Sequence, residues 1–197
     1  MFKYGSTHTT GILRLPVLPG FVYGPYAPPL PLPSNSTNLG TNGFIYALLS
    51  GGKPPLAPPW VVDVRDVARA HVLALELPPV PTPTVTPTLD SSTLSGSGSD
   101  QPERDRDIQS KRIIINAGNY TWPEAIAFLK QHPGLEDKVK EGLTDPEAFG
   151  ELPGPPSRLD NTRAREMLNM EFIAPEKTIE ETVRVMLQLE ASWAPTT

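Results

Sequence analysis

Apolar positions along this chain fall into short clusters separated by proline and glycine, and their spacing alternates between strand-like and helix-like. Ile12 to Val17 is a brief apolar run interrupted by Arg14 and Pro16. It fits a buried strand that ends where Pro19-Gly20 turns the backbone. Phe21-Val22-Tyr23 takes a second extended step, closed by Gly24-Pro25. Asn42 to Ser50 reads as a helix, with Asn42 as N-cap, Phe44, Ile45, Ala47, Leu48 and Leu49 as its apolar face, and Gly51-Gly52 as its stop. Trp60 to Val62 follows Pro58-Pro59 as a short strand. A helix then begins at Asp63 or Asp66 and runs to about Leu77. Its apolar residues Val67, Ala70, Leu73, Ala74 and Leu77 recur at steps of three and four, so one face is buried.

The pattern resumes at Arg112-Ile113-Ile114-Ile115-Asn116, a β-branched run expected to be a strand covered on both faces. Thr121-Trp122-Pro123-Glu124 starts a helix that reaches about Gln131: Thr121 caps, Pro123 sits in the first turn, and Glu124 completes a capping box. Residues 134–156 are rich in loop, with a turn or two of helix around Leu135 to Val139. Asp160 or Asn161 caps a short helix over Thr162 to Leu168, and Phe172-Ile173 forms a brief apolar anchor. Pro175 to Ser192 is the last helix, with Ile179, Val183, Met186 and Leu187 on one side. Strands alternating with helices predict an α/β fold with parallel pairing. The helix-rich second half predicts a small lobe at one end of a sheet.

Two stretches lack such periodicity. Tyr26 to Asn38 holds Pro28, Pro29, Pro31 and Pro33, which fix φ and remove donors, so it is expected to run extended over the surface. Pro78 to Ser110 is dominated by Thr, Pro, Ser, Gly and Asp and has no aromatic residue. It cannot offset an ordering cost of about 1–2 kcal/mol per residue and reads as a disordered insertion. The chain thus divides into residues 1–77 (sheet and substrate-loop segment), 78–110 (insertion) and 111–197 (last sheet strand and helical lobe). The 25 prolines and a hydrophobic content of 38% agree with part of the 197 residues lying outside any core.

A net charge of −5 argues against a nucleic-acid groove and against an anionic membrane surface. The absence of cysteine removes disulfides, thiolate catalysis and Cys-based zinc sites. His8, His71 and His132 have no metal-ligand spacing. With neither a secretory signal nor an apolar run of membrane-spanning length, a soluble cytoplasmic protein is expected. Asp63 and Asp66 could suggest acid–base chemistry or a metal, but a carboxylate at a helix start meets free N–H groups and the positive end of the dipole, so capping is the expectation. Pro28-Pro29-Leu30-Pro31 and Pro78-Pro79-Val80-Pro81 match the spacing of proline-groove ligands, a pattern common by chance in so proline-rich a chain.

Pro19-Gly20-Phe21-Val22-Tyr23-Gly24-Pro25 resembles the strand-end motif of the extended short-chain dehydrogenases/reductases. Val62-Asp63-Val64-Arg65-Asp66-Val67-Ala68-Arg69-Ala70 is similar to that group's strand-to-helix segment. Thr41-Asn42, Trp122 and the stretch from Asp160-Asn161 to Val183 follow in the same order. The nearest branch in appearance holds dihydroflavonol, cinnamoyl-CoA and fungal aldehyde reductases, within the NAD-dependent epimerase/dehydratase superfamily. The resemblance covers most of the chain except the insertion, and implies the C-terminal strands of a Rossmann-type parallel sheet with a mostly helical substrate-binding lobe. It implies Pro19, Phe21 and Val22 as contacts of the nicotinamide end of NADP or NAD, Tyr26 as a wall of the substrate pocket, and a small carbonyl compound as substrate.

The same resemblance makes two absences informative. No Gly-rich strand-to-helix turn is present to hold a pyrophosphate. The family's Tyr-x-x-x-Lys pair is also missing, since Tyr4, Tyr23, Tyr26, Tyr46 and Tyr120 are followed four residues on by His8, Ala27, Leu30, Ser50 and Glu124. No catalytic residue is therefore assigned. The expectation is a truncated, C-terminal portion of an oxidoreductase that is not competent alone. The alternative is a non-catalytic binding or interaction protein derived from that fold.

Overall fold

Gly20 divides one extended stretch into two strands with different partners. The computed structural model describes residues 15–28, 30–77, 112–150 and 157–193. Strands β1 (Val17–Pro19) and β2 (Phe21–Tyr23) flank Gly20. Parallel pairing joins β2 to β3 (Trp60–Asp63), with Val22 opposite Val62, and β1 to β4 (Ile113–Ile115), with Leu18 opposite Ile114. A short β5 (Gly118–Asn119) runs antiparallel to β3. The Gly20 N–H donates to Ile115 O at 2.9 Å and the Ala117 N–H to Val61 O at 2.8 Å, so the ladders continue across both breaks.

Successive strand residues serve opposite cores, as a period of two requires. Val61 and Tyr23 join Ile45, Leu48, Ile126, Leu129, Ile179 and Val183 on one face. Val62 joins Ile113, Ile115 and Ala70 on the other, with Val22 and Val67 packed against them. The β-branched Ile113–Ile115 run is covered as the sequence predicts, with Ile113 and Ile115 at 0% exposure. A third cluster, Leu39, Met186 and Leu189, sits beneath Tyr26, Tyr46 and Trp193.

Among the described residues six α-helices surround these strands: α1 (Asn42–Leu49), α2 (Val64–Glu76), α3 (Trp122–Gln131), α4 (Asp137–Gly142), α5 (Thr162–Met167) and α6 (Pro175–Trp193). Single 3₁₀ turns occupy Ser36–Asn38 and Pro146–Ala148. The α/β class and the parallel pairing follow the sequence reading. The Thr121–Glu124 capping box forms with both reciprocal bonds. Helix α6 packs against α1, α3 and β3 through Ile179, Val183 and Met186.

Local rules misplace some details. Asn42 is not the cap of α1: Thr41 holds that position, and the Asn42 side chain bonds both backbone groups of Gly24. Asn161 stands at the cap of α5, but its amide donates to Asn116 O at 2.6 Å, and the capping oxygen comes from Asp160. The helix expected around Leu135 to Val139 begins at Asp137. The proposed insertion at 78–110, the start of the first strand at Ile12 and the Pro78–Pro81 motif lie outside the described residues.

Candidate functional site

Two adjoining features stand where the strand pairs change partners. The first is the carboxyl end of β1 and β4, the position at which open parallel sheets receive ligands. There the Asn116 side chain is buried at 2% exposure. Its amide nitrogen donates to Gly118 O at 3.2 Å, while its Oδ1 accepts no hydrogen bond among the described residues. Gly20 crosses directly against that oxygen: a Cβ at residue 20 would lie 2.6 Å from Asn116 Oδ1 and 3.1 Å from Trp60 Cβ. Glycine is therefore required here for close approach.

The turn after β2 is fixed by a side chain rather than by a ladder. Gly24 has φ +132°, and a Cβ there would also meet Val64 Cγ1 at 2.9 Å. The Asn42 carboxamide donates to Gly24 O at 2.9 Å and accepts from Gly24 N at 3.2 Å. Thr41 Oγ1 donates to Val22 O just upstream. The strand-end segment is thus pinned to the start of α1 on both sides of Tyr23.

The second feature is an aromatic cleft of about 400 Å³ between the entry to β3 and the start of α3. Tyr23, Pro58, Trp60, Tyr120, Trp122 and Phe149 contribute to its wall. The rings brace one another. Tyr23 meets Trp122 edge-on at 6.2 Å, and Phe21 lies behind Trp60 at 6.5 Å and beside Phe44 at 6.0 Å. The indole N–H of Trp60 donates to Ser157 O at 2.9 Å and that of Trp122 to Pro55 O at 3.4 Å, which fixes both ring planes. Among the described residues no charged side chain lines the cleft.

Burial raises the Tyr23 phenol well above its ordinary acidity range. Burial, followed by the charges of Glu176 and Glu124, pushes Tyr120 up to about 12. Both remain protonated near neutrality, and the Tyr120 hydroxyl donates to Glu124 O at 3.5 Å.

The residues singled out in the sequence do not converge. Phe21 is half-buried and reaches the cleft only by backing Trp60. Val22 packs on the opposite face, toward α2. Pro19 is exposed at the end of β1. Tyr26 sits in the α6-side cluster, its hydroxyl donating to Leu39 O at 3.2 Å. The rings that do converge, Trp60, Tyr120 and Trp122, had no shared motif to announce them. Their only signal was aromatic residues beside Pro58-Pro59 and at the Pro123 helix start, positions where proline holds the backbone extended or begins a helix.

Asp63 caps α2, and Asp66 ties it to the segment before α6. Asp63 Oδ1 accepts from the backbone and Nε of Arg65 at 2.8 Å each. Its Oδ2 accepts from Arg65 Nη2 at 2.7 Å and from Thr178 Oγ1 at 3.1 Å. Burial pushes this carboxyl up, but the Arg65 bonds and charge outweigh it and hold it below its ordinary value. Asp66 accepts from Ile173 N at 2.8 Å and from Arg69 at 3.0 Å, and there burial prevails and raises the carboxyl. His71 is exposed, with Nδ1 2.8 Å from Val67 O. Among the described residues no cluster of His and carboxylate side chains could hold a metal, and no helix is long and apolar enough to cross a membrane.

No family model matches the sequence. The chain is 26% identical over 170 residues to the putative NADPH-dependent methylglyoxal reductase GRP2 of Candida albicans, a match that covers 84% of this chain and 40% of that protein. The structure of Gre2 in complex with NADPH from Candida albicans aligns with a TM-score of 0.52 at 20% identity, covering 88% of this chain and 43% of that one. Yeast methylglyoxal/isovaleraldehyde reductase Gre2 complexed with NADPH aligns with a TM-score of 0.50 at 18% identity, covering 89% and 43%. The fold matches part of a Rossmann-like fold, and the resemblance to reductases read from the motifs is accompanied by this sequence similarity to one. The chain spans less than half the length of these relatives.

Proposed function

We propose that these 197 residues are the C-terminal, substrate-side portion of an NADPH-dependent carbonyl reductase and do not transfer hydride alone. The observation that carries this reading is the sequence match, which takes in 84% of this chain but only 40% of the methylglyoxal reductase. In the whole reaction a hydride passes from NADPH to a carbonyl carbon and a proton to its oxygen, giving an alcohol and NADP⁺. The portion described supports the substrate side: a strand end pinned by Asn42 and Thr41, and an uncharged aromatic wall beside it. The proton-donor side is not supported by its chemistry, because burial shifts Tyr23 and Tyr120 away from useful acidity and neither has a lysine one turn later.

The test is purified chain, NADPH and methylglyoxal, followed by NADPH absorbance and by calorimetric titration of NADPH. No turnover and no micromolar binding are expected. Aldehyde-dependent oxidation of NADPH, or micromolar NADPH binding by this chain alone, refutes the proposal.

A further inference from the structure

Rings at the wall and two carboxylates set back from it decide the electrostatics of the aromatic cleft. Tyr23, Trp60, Tyr120, Trp122 and Phe149 bring five rings to it, and among the described residues no charged side chain lines it. Each ring has a negative face and a positive edge. Phe21 stacks on Trp60 at 6.5 Å with 26° between the planes, so it covers one indole face and leaves the other to the cleft. The N–H bonds of Trp60 and Trp122 to Ser157 O and Pro55 O hold both ring planes before any ligand arrives. Glu176 and Glu124 stand near enough for their charges to act on Tyr120. Glu124 caps α3 and offsets the positive helix end where Thr121, Trp122 and Pro123 meet the cleft. Glu176 adds a second negative charge from the first turn of α6.

We propose that the cleft binds a small quaternary ammonium compound, its trimethylammonium head against the faces of Trp60 and Trp122. A cation is attracted to an aromatic face, to tryptophan most of all, and no cationic side chain of the described residues lines the cleft to occupy that position. A primary ammonium would bring three N–H donors in need of acceptors, whereas a quaternary one brings none. That suits this wall, where the Thr121 hydroxyl is already engaged with Glu124 at 2.7 Å. An anionic ligand would meet the negative faces and the two glutamates. The volume of about 400 Å³ falls in the range of small-molecule sites. The site goes beyond the reductase reading: a quaternary ammonium head has no carbonyl to reduce and needs no dinucleotide, so the two readings fail separately.

The test titrates the full chain with choline chloride, against sodium chloride at equal ionic strength, and follows the tryptophan indole N–H signals by nitrogen–proton NMR. Trp193 serves as the internal control, since its ring packs on Tyr46 and its N–H is held by Pro33 O. Choline is expected to shift the Trp60 and Trp122 signals and leave Trp193 still. Its neutral carbon analogue, with a tert-butyl group in place of trimethylammonium, keeps the shape without the charge and is expected to bind about tenfold more weakly. Biosynthetic replacement of the tryptophans by fluorinated tryptophans drains the ring faces of negative charge at nearly unchanged size. Choline affinity should then fall with each added fluorine, while affinity for the neutral analogue stays constant. Ala57→Lys, which sets a positive charge on the cleft wall, should abolish choline binding and spare the analogue. The proposal is overturned by no shift beyond the sodium chloride control, by equal shifts at Trp193, by equal affinity for the two probes, by choline affinity indifferent to fluorination, or by choline binding that survives Ala57→Lys.

Discussion

Replacing Asp63 by Asn changes one atom type at a buried side chain that accepts four hydrogen bonds. The carboxylate is fully buried and receives four donors: three from Arg65 and one from the Thr178 hydroxyl. Asparagine has one accepting oxygen. If that oxygen faces the Arg65 N–H, the cap of α2 survives, because Asn caps as well as Asp. The new NH₂ group then faces Arg65 Nη2, donor against donor, while the Thr178 hydroxyl can accept from it and donate to Ala174 O instead. Hydrogen bonds to a charged acceptor contribute about 1.5–3 kcal/mol each. The Arg65 side chain is 43% exposed and also reaches Glu181 at 2.6 Å, so solvent and that second carboxylate recover part of the loss. The expected destabilisation is about 2–3 kcal/mol, or roughly 4–12 °C in melting temperature for a chain of this size. The difference should depend on pH. The folded-state carboxyl lies below its unfolded value, so its stabilisation is present above about pH 4 and is lost as pH falls through the folded value. Thermal melts of both proteins between about pH 3 and pH 6 read this directly. A loss below about 0.5 kcal/mol, or a gap that stays constant on acidification, refutes the assignment of Asp63 as the clamp between α2 and α6.

Asp66→Asn should show the opposite trend: its carboxyl is raised by burial, so wild type gains relative to the variant as pH falls through the folded value, which the same melts report. Gly20→Ala puts a methyl group 2.6 Å from Asn116 Oδ1 and is expected to cost about 1–3 kcal/mol by urea unfolding. Pairing it with Asn116→Ala should return part of that cost, as a double-mutant cycle measures. Thr121→Ala removes one half of the α3 capping box and should cost about 0.5–2 kcal/mol.

Legibility of this chain in its sequence follows the range of each interaction. The capping box at Thr121 and the apolar stripe of α6 are written within a few residues and are found where they were read. Asn42 looked like a cap because it is the right residue before an apolar face. Gly24, eighteen positions upstream, takes its carboxamide instead, and no local rule contains that pairing. Pro19-Gly20 announced a turn and is a change of strand partner, because the partners of β1 and β2 come from distant segments. The cleft was the least legible feature. Trp60 and Trp122 line one cleft because the Val61–Gly118 pairing brings the entry to β3 beside the start of α3.

The placement of α6 has a consequence for how the polypeptide emerges during synthesis. This last helix supplies Ile179, Val183, Met186 and Leu189 to the shared interior and the Thr178 hydroxyl to Asp63. Until it leaves the ribosome, α1 and α3 have a bare greasy side and the Asp63 carboxylate lacks one of its donors. Nascent chains stopped ahead of residue 175 are expected to recruit chaperones or be degraded, and completion of the final turns sets when the molecule becomes protease-resistant.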